Sequence, residues 1–216
     1  MFELNKIYNE DCLSGLKRIP NSTIDLIVTD PPYFLGLTHN GQKGSFVDLA
    51  VSRPFFEALF QEYKRVLKPD ACVFFFCDWR GYAFYYPIFD AILGASNLLV
   101  WDKISAPGSK YSYSHELLIF HAPASVKKGG SPIFRIPGFR SGAKKTEGEK
   151  VHPTQKPLAL IKQLIEAHSE VGDTVLDTFG GSGTTAIAFM ELQRNFLLYE
   201  LDIKNFKIAQ KRVFNA

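Results

Sequence analysis

Short apolar runs alternate with longer amphipathic ones along most of the chain. The short runs fall at 6–8, 26–28, 72–76, 98–101, 116–120, 174–176 and 196–199. Several, such as Cys72-Val73-Phe74-Phe75-Phe76, are apolar at every position, the pattern of a strand covered on both faces. Between them, spacings near the helical period predict helices over 13–18, 54–67, 81–93, 157–168, 184–192 and 204–213. Alternation of this kind predicts an α/β fold, a mainly parallel sheet with helices on both faces. From 105 to 150 the pattern fails. Gly, Pro, Ser and Lys accumulate there around one good strand near 116–121, as in an insertion or a small recognition region.

Composition narrows this picture. A chain of 216 residues, 46% hydrophobic and with 19 Phe, holds one sizeable aromatic-rich core rather than two. The N-terminus lacks a basic-then-apolar signal pattern, and no apolar run approaches the ~20 residues that cross a bilayer. No membrane anchor is expected. Cys12, Cys72 and Cys77 are odd in number and lack C-x-x-C spacing, so they read as buried thiols in a reducing compartment, with no metal site. The net charge of +3 is unevenly spread. Between 102 and 150, nine basic residues (Lys103, Lys110, Lys127, Lys128, Arg135, Arg140, Lys144, Lys145 and Lys150) face four acids. Such a region suits phosphates, and on charge alone it equally suits a solvated loop.

Two stretches carry candidate chemistry. The first is T-D-P-P-Y-F-L-G at 29–36, directly after an apolar run. Its prolines fix two φ angles, remove two backbone donors and hold the preceding residues extended, so this is a stiff loop presenting Asp30 and Tyr33. A plain proline turn would read the same way. The second is T-V-L-D-T-F-G-G-S-G-T-T at 174–185, a strand running through a glycine turn into a helix. Gly181, Gly183 and Ala186 satisfy G-x-G-x-x-A, and Glu200 follows about twenty residues on, where an acid can bond ribose hydroxyls. Asp177 at the strand end would repel a pyrophosphate and attract an amine. S-adenosylmethionine, with an adenosine for Glu200 and an ammonium for Asp177, fits better than NAD. A glycine turn can also join strand to helix with no ligand.

With D-P-P-Y at 30–33, H-P-T-Q-K-P at 152–157 and F-G-G-S-G at 179–183 in that order, the chain resembles the β-class amino-group DNA methyltransferases. The resemblance spans nearly the whole chain. It implies a circularly permuted Rossmann-like methyltransferase fold with a mainly parallel seven-stranded sheet and a small target-recognition insertion. One domain over 1–216 is expected, with a loop at 34–53 after the catalytic motif and a variable region at 104–150. In the family the D-P-P-Y loop holds a flipped base beside the methyl donor. Carried over, Asp30 and the Pro31 carbonyl accept the amine hydrogens, Pro32 stiffens the loop and Tyr33 stacks on the base. The resemblance gives S-adenosylmethionine to Asp11, Cys12, Asp30, His152, Thr154, Lys156, Asp177, Phe179, Gly181, Ser182, Gly183, Thr184, Thr185, Glu200 and Leu201. Asp11 could instead cap the helix that follows it. Thr178 stands where the family commonly has proline.

The implied partner is double-stranded DNA, met by the basic middle region and the loop after D-P-P-Y. His39, Lys43, Lys103, Lys110, Tyr111, Tyr113, Arg135, Arg140, Lys144 and Lys145 are its candidate contacts. A second copy of the chain and a cognate restriction endonuclease are further partners compatible with the family, and the expected location is the cytoplasm of a prokaryote or of a phage-infected cell. D-P-P-Y is more typical of adenine-N6 methylation than of cytosine-N4 methylation, so adenine is expected. An RNA or protein-amide methyltransferase, an NAD-binding oxidoreductase and a DNA-binding module without catalysis are the remaining readings.

Overall fold

The apolar runs pair into one sheet. A computed structural model describes residues 3–32, 38–39, 42–43, 49–104, 114–126, 129–139 and 155–214. The elements in chain order are β1 (Lys6–Tyr8), α1 (Cys12–Leu16), β2 (Ile24–Thr29), β3 (Thr38–His39), β4 (Gln42–Lys43), α2 (Leu49–Val66), β5 (Leu67–Cys77) and α3 (Trp79–Leu93). There follow β6 (Asn97–Asp102), β7 (His115–His121), β8 (Ile133–Arg135), α4 (Leu158–His168), β9 (Thr174–Asp177), α5 (Thr184–Glu191), β10 (Asn195–Tyr199) and α6 (Ile203–Phe214).

The sheet order is β1-β10-β9-β2-β5-β7-β6-β8, with β3 and β4 forming a separate two-residue pair. Every pairing in the large sheet is parallel except those of β7, which runs against both neighbours. The eighth strand departs from the seven expected: β8 adds to β6, pairing Val100 with Ile133 and Asp102 with Arg135. It has three residues and no buried position, so no apolar run announces it. Helix α2 also begins before Pro54, the residue at which periodicity starts it, with an Arg53–Glu57 pair at 2.8 Å across that first stretch.

Both faces of the central strands are covered, as their unbroken apolar runs require. Val73, Phe75 and Cys77 of β5 point into a core with α1, α2 and α3, including Phe56, Phe60, Tyr85 and Phe89. Cys72, Phe74 and Phe76 point into a second core with α4, α5 and α6, including Leu160, Leu164, Phe189 and Val213. The sheet's order reverses between β9 and β2. From β9 the chain passes through α5 to β10 on one side, and from β2 through α2 to β5 on the other. Ligands of open α/β sheets bind at such a switch point, beyond the strands' carboxyl ends.

Candidate active site

At this switch point β9 ends on Asp177 and β2 runs into Asp30. Asp177 is 2% exposed and accepts three hydrogen bonds: from Thr29 Oγ1 at 3.0 Å, from the Phe179 amide at 3.0 Å and from Thr185 Oγ1 at 2.5 Å. Burial pushes its carboxyl up to about 6 against the lowering effect of those donors, and the nearby Asp30 charge pushes the same way. No cation pairs with it among the described residues, so a cationic head group would meet an acid whose ionised form lacks a counter-charge.

The loop after β9 is shaped for close approach. Gly181 has φ +53°, and a Cβ built there would meet nothing nearer than the Phe179 carbonyl at 4.0 Å, so its face is open. Gly183, at φ +80°, opens α5 and lies so close to α6 that a Cβ would fall 3.0 Å from the Ala209 Cβ. Arg212 of α6 donates to the Ser182 carbonyl at 2.7 Å, to Ser182 Oγ at 2.9 Å and to Thr184 Oγ1 at 3.2 Å, which fixes the turn from behind.

Glu200 follows β10. One carboxylate oxygen accepts from the Gly181 amide at 2.7 Å and the other from the Asp202 amide at 2.8 Å; burial raises its pKa against these bonds. Beside it Leu201 is 69% exposed, an apolar step next to an acid. Asp11 caps α1 by accepting from the Ser14 amide at 2.9 Å, as the helix-cap reading has it. Cys12 is buried beside it, its thiol pushed up to about 12 first by burial and then by the Asp11 charge. The residues fit the methyl donor: a buried acid without a cation, an open glycine face and an acid with an apolar neighbour follow one another along the carboxyl ends of β9 and β10.

On the other side of the switch point Lys156 is buried, and its ammonium lies 2.5 Å from Asp30 Oδ2 and 3.0 Å from Glu116 Oε2. Burial opposes that charge, but the two carboxylates outweigh it and hold the ammonium's pKa above its ordinary value. Glu116 also binds Lys103 at 2.6 Å. The D-P-P segment is fixed from below, where Tyr85 of α3 donates its phenol to the Pro32 carbonyl at 3.2 Å.

Among the expected site residues, the structure brings together Asp30, Pro31, Pro32, Lys156, Asp177, Phe179, Gly181, Ser182, Gly183, Thr184, Thr185, Glu200 and Leu201, with Asp11 and Cys12 at the neighbouring edge. Tyr33, His152, Thr154, Lys110, Tyr111, Tyr113, Arg140, Lys144 and Lys145 lie outside the described residues. His39 and Lys43 sit opposite Gln42 and Thr38 in the β3–β4 pair. Lys103, expected to meet phosphate, is paired with Glu116, while Arg135 is exposed and 3.8 Å from Asp102. Thr29, Thr178, Tyr63, Tyr85 and Glu116 were not legible as site residues. The tyrosines fall on apolar helix faces, and Glu116 has one signal, an acid opening an otherwise apolar strand.

The chain matches the DNA methylase family over residues 24–211. The type II methyltransferase M.HinfI of Haemophilus influenzae is 29% identical over 245 residues, covering 97% of this chain and 68% of that protein. M.BglII of Bacillus subtilis, also a type II methyltransferase, is 29% identical over 252 residues, covering 95% and 68%. Among solved structures, the M1.HpyAVI–SAM complex superposes with a TM-score of 0.74 at 24% identity, covering 97% of this chain and 98% of that one. The cytosine-N4-specific PvuII DNA methyltransferase gives 0.75 at 19% identity, covering 96% and 85%. At these identities the two structures bear on the fold alone.

Proposed function

This chain belongs to the DNA methylase family of the N6/N4 amino type, and on that premise we propose that it transfers a methyl group from S-adenosylmethionine to the N6 amine of an adenine flipped out of double-stranded DNA. One observation carries the reading: two acids, Asp30 and Asp177, end neighbouring parallel strands at the switch point, one in a stiff D-P-P loop and the other in a cation-seeking pocket beside open glycine backbone.

When bound, S-adenosylmethionine supplies an electrophilic methyl group on a sulfonium. Asp177 would receive its ammonium, the open face of Gly181 would leave room for it, and Glu200 and Leu201 would hold the nucleoside. Asp30 and the Pro31 carbonyl accept the two hydrogens of the exocyclic amine. Its lone pair is then drawn out of conjugation with the ring, and the nitrogen becomes tetrahedral and nucleophilic. As the N–C bond forms, the sulfonium S–C bond breaks with its electron pair kept on sulfur; the Asp30 carboxylate stabilises the positive charge growing on nitrogen and takes the proton that nitrogen then sheds, passing it to solvent. Tyr33, next in sequence, stacks on the extruded base, worth about 1–3 kcal/mol per stacked base.

The choice of adenine rests on Asp at position 30 of D-P-P-Y. Cytosine-N4 methylation is the second reading, since PvuII carries that specificity on the same fold. Digestion of DNA methylated in vitro, followed by identification of the modified nucleoside, decides between them; N4-methylcytosine alone would overturn adenine. Asp30→Ala should abolish methylation while S-adenosylmethionine still binds, and near-wild-type turnover in that variant refutes the mechanism. A cognate endonuclease is part of the proposal, motivated by the names of the type II relatives; a homodimer is proposed on the family resemblance alone.

A further inference from the structure

Asp30 must accept a hydrogen from the target amine, yet one of its oxygens is already engaged by a buried ammonium. Lys156 stands 2.5 Å from Asp30 Oδ2, with its side chain 7% exposed. An ammonium at that oxygen is a competing donor, and its charge opposes the positive charge that builds on the amine nitrogen. A second carboxylate offsets both effects. Glu116 Oε2 is 3.0 Å from the same Lys156 nitrogen, and its other oxygen is 2.6 Å from Lys103. Among the described residues the order is Asp30, Lys156, Glu116, Lys103: two acids and two bases alternating from the switch point outward.

Glu116 reaches this place because β7 is reversed. Its first residues pair with the last residues of β5, Leu117 opposite Cys77, so the start of β7 lies at the edge where its neighbours end. A parallel strand here would put its first residues at the far edge of the sheet.

We propose that Glu116 is a positioning residue for methyl transfer: by sharing the Lys156 ammonium, it weakens that charge's hold on Asp30 and lets the Asp30 carboxylate turn toward the amine. Lys156 then has two resting partners. It orients Asp30 through one oxygen, and it leans toward Glu116 when the amine arrives. The shift is short, because both carboxylates are already within hydrogen-bond reach of one nitrogen. Without Glu116 the ammonium loses one of its two carboxylates among the described residues, and its hold on Asp30 tightens.

This inference rests on the methyltransferase reading above, and one experiment separates the two. Single-turnover methylation of unmethylated plasmid DNA, S-adenosylmethionine affinity by calorimetry and melting temperature are measured for wild type, Glu116→Gln, Lys156→Met and the double variant. Wild type that transfers no methyl group to DNA overturns the methyltransferase reading. With wild type active, Glu116→Gln should lower the single-turnover rate by about tenfold or more and leave S-adenosylmethionine affinity within about twofold. On the Lys156→Met background the same substitution should change the rate by less than about threefold, because Glu116 acts through Lys156 and the cycle is non-additive. An additive cycle, an unchanged rate in Glu116→Gln, or rate losses that follow the melting temperature each overturn the proposal. Should Glu116→Gln not fold, Glu116→Asp takes its place in the cycle. It keeps the charge but withdraws the oxygens, so the same non-additivity is expected.

Discussion

Tyr63 on α2 is wired to Asp177 on β9 through two threonine hydroxyls. Thr29 donates to Asp177 at 3.0 Å; its single hydrogen being spent there, it accepts from Thr178, 3.1 Å away, and Thr178 in turn accepts from the Tyr63 phenol. All four residues are buried, and each of the three hydroxyls donates toward the acid. The threonine at position 178, where the family commonly carries proline, therefore performs a definite task in this chain.

Breaking that relay should show the asymmetry of buried polar groups. Thr178→Val takes the Thr178 hydroxyl away from the buried Tyr63 phenol and should destabilise the protein by about 1–3 kcal/mol. Adding Tyr63→Phe removes the phenol hydroxyl as well, so the double variant should regain part of the loss. Chemical denaturation of the three proteins reads this directly, and a double variant less stable than Thr178→Val contradicts the relay.

The Asp177 carboxyl, pushed up to about 6 chiefly by burial, should make binding of the proposed donor pH-dependent. Its folded value lies above its free one, so the folded chain favours the protonated form, whereas an ammonium ligand favours the ionised form. Binding should therefore strengthen as pH rises toward about 6 and level off above it. Below that point affinity should fall by up to about tenfold per pH unit, the limit for one linked proton. Calorimetry across this range checks the sign. Asp177→Asn should bind weakly with a flattened profile.

Tyr85 anchors the catalytic loop through its 3.2 Å bond to the Pro32 carbonyl. Tyr85→Phe keeps the ring among Phe56, Phe75 and Phe84 and removes that bond. Its net worth of about 0.5–1.5 kcal/mol corresponds to a loss of up to roughly tenfold in turnover. Steady-state kinetics should show the loss in kcat, with S-adenosylmethionine affinity unchanged.

At Gly183 the left-handed backbone and the 3.0 Å approach to Ala209 act together. Gly183→Ala should destabilise by about 1–3 kcal/mol or more, measured by urea unfolding, because strain and a clash with α6 are added at one point. Gly181→Ala shares the positive φ without the clash and should be milder in stability, yet it should weaken S-adenosylmethionine binding by covering the open face of the loop.

What the sequence disclosed and what it hid divide along physical lines. The D-P-P loop and the glycine turn are local events, governed by φ restriction and by the need for Gly, so their residues announce themselves. The central strands do so as well, since burial on both faces leaves no polar position. Contacts between distant segments have no such signature. Nothing near Lys103 in the sequence tells that β6 and β7 pair and bring Glu116 to it, and nothing near Lys156 tells that it meets Asp30. Strand β8 carries no such signature either, because three residues at a sheet edge, none of them buried, need no sustained apolar run.

The reversed direction of β7 has an architectural consequence. The chain leaves that strand at the far edge after His121 and climbs back through β8, so that the Gly138 amide meets the Lys103 carbonyl at 3.1 Å. Lys156, bound to Asp30, stands at that same edge. One reversed strand thus turns the last part of the sheet back on itself, so that Lys103, Glu116, Gly138 and Lys156 gather on the rim that carries Asp30. A sheet that is parallel throughout would scatter them over two opposite rims.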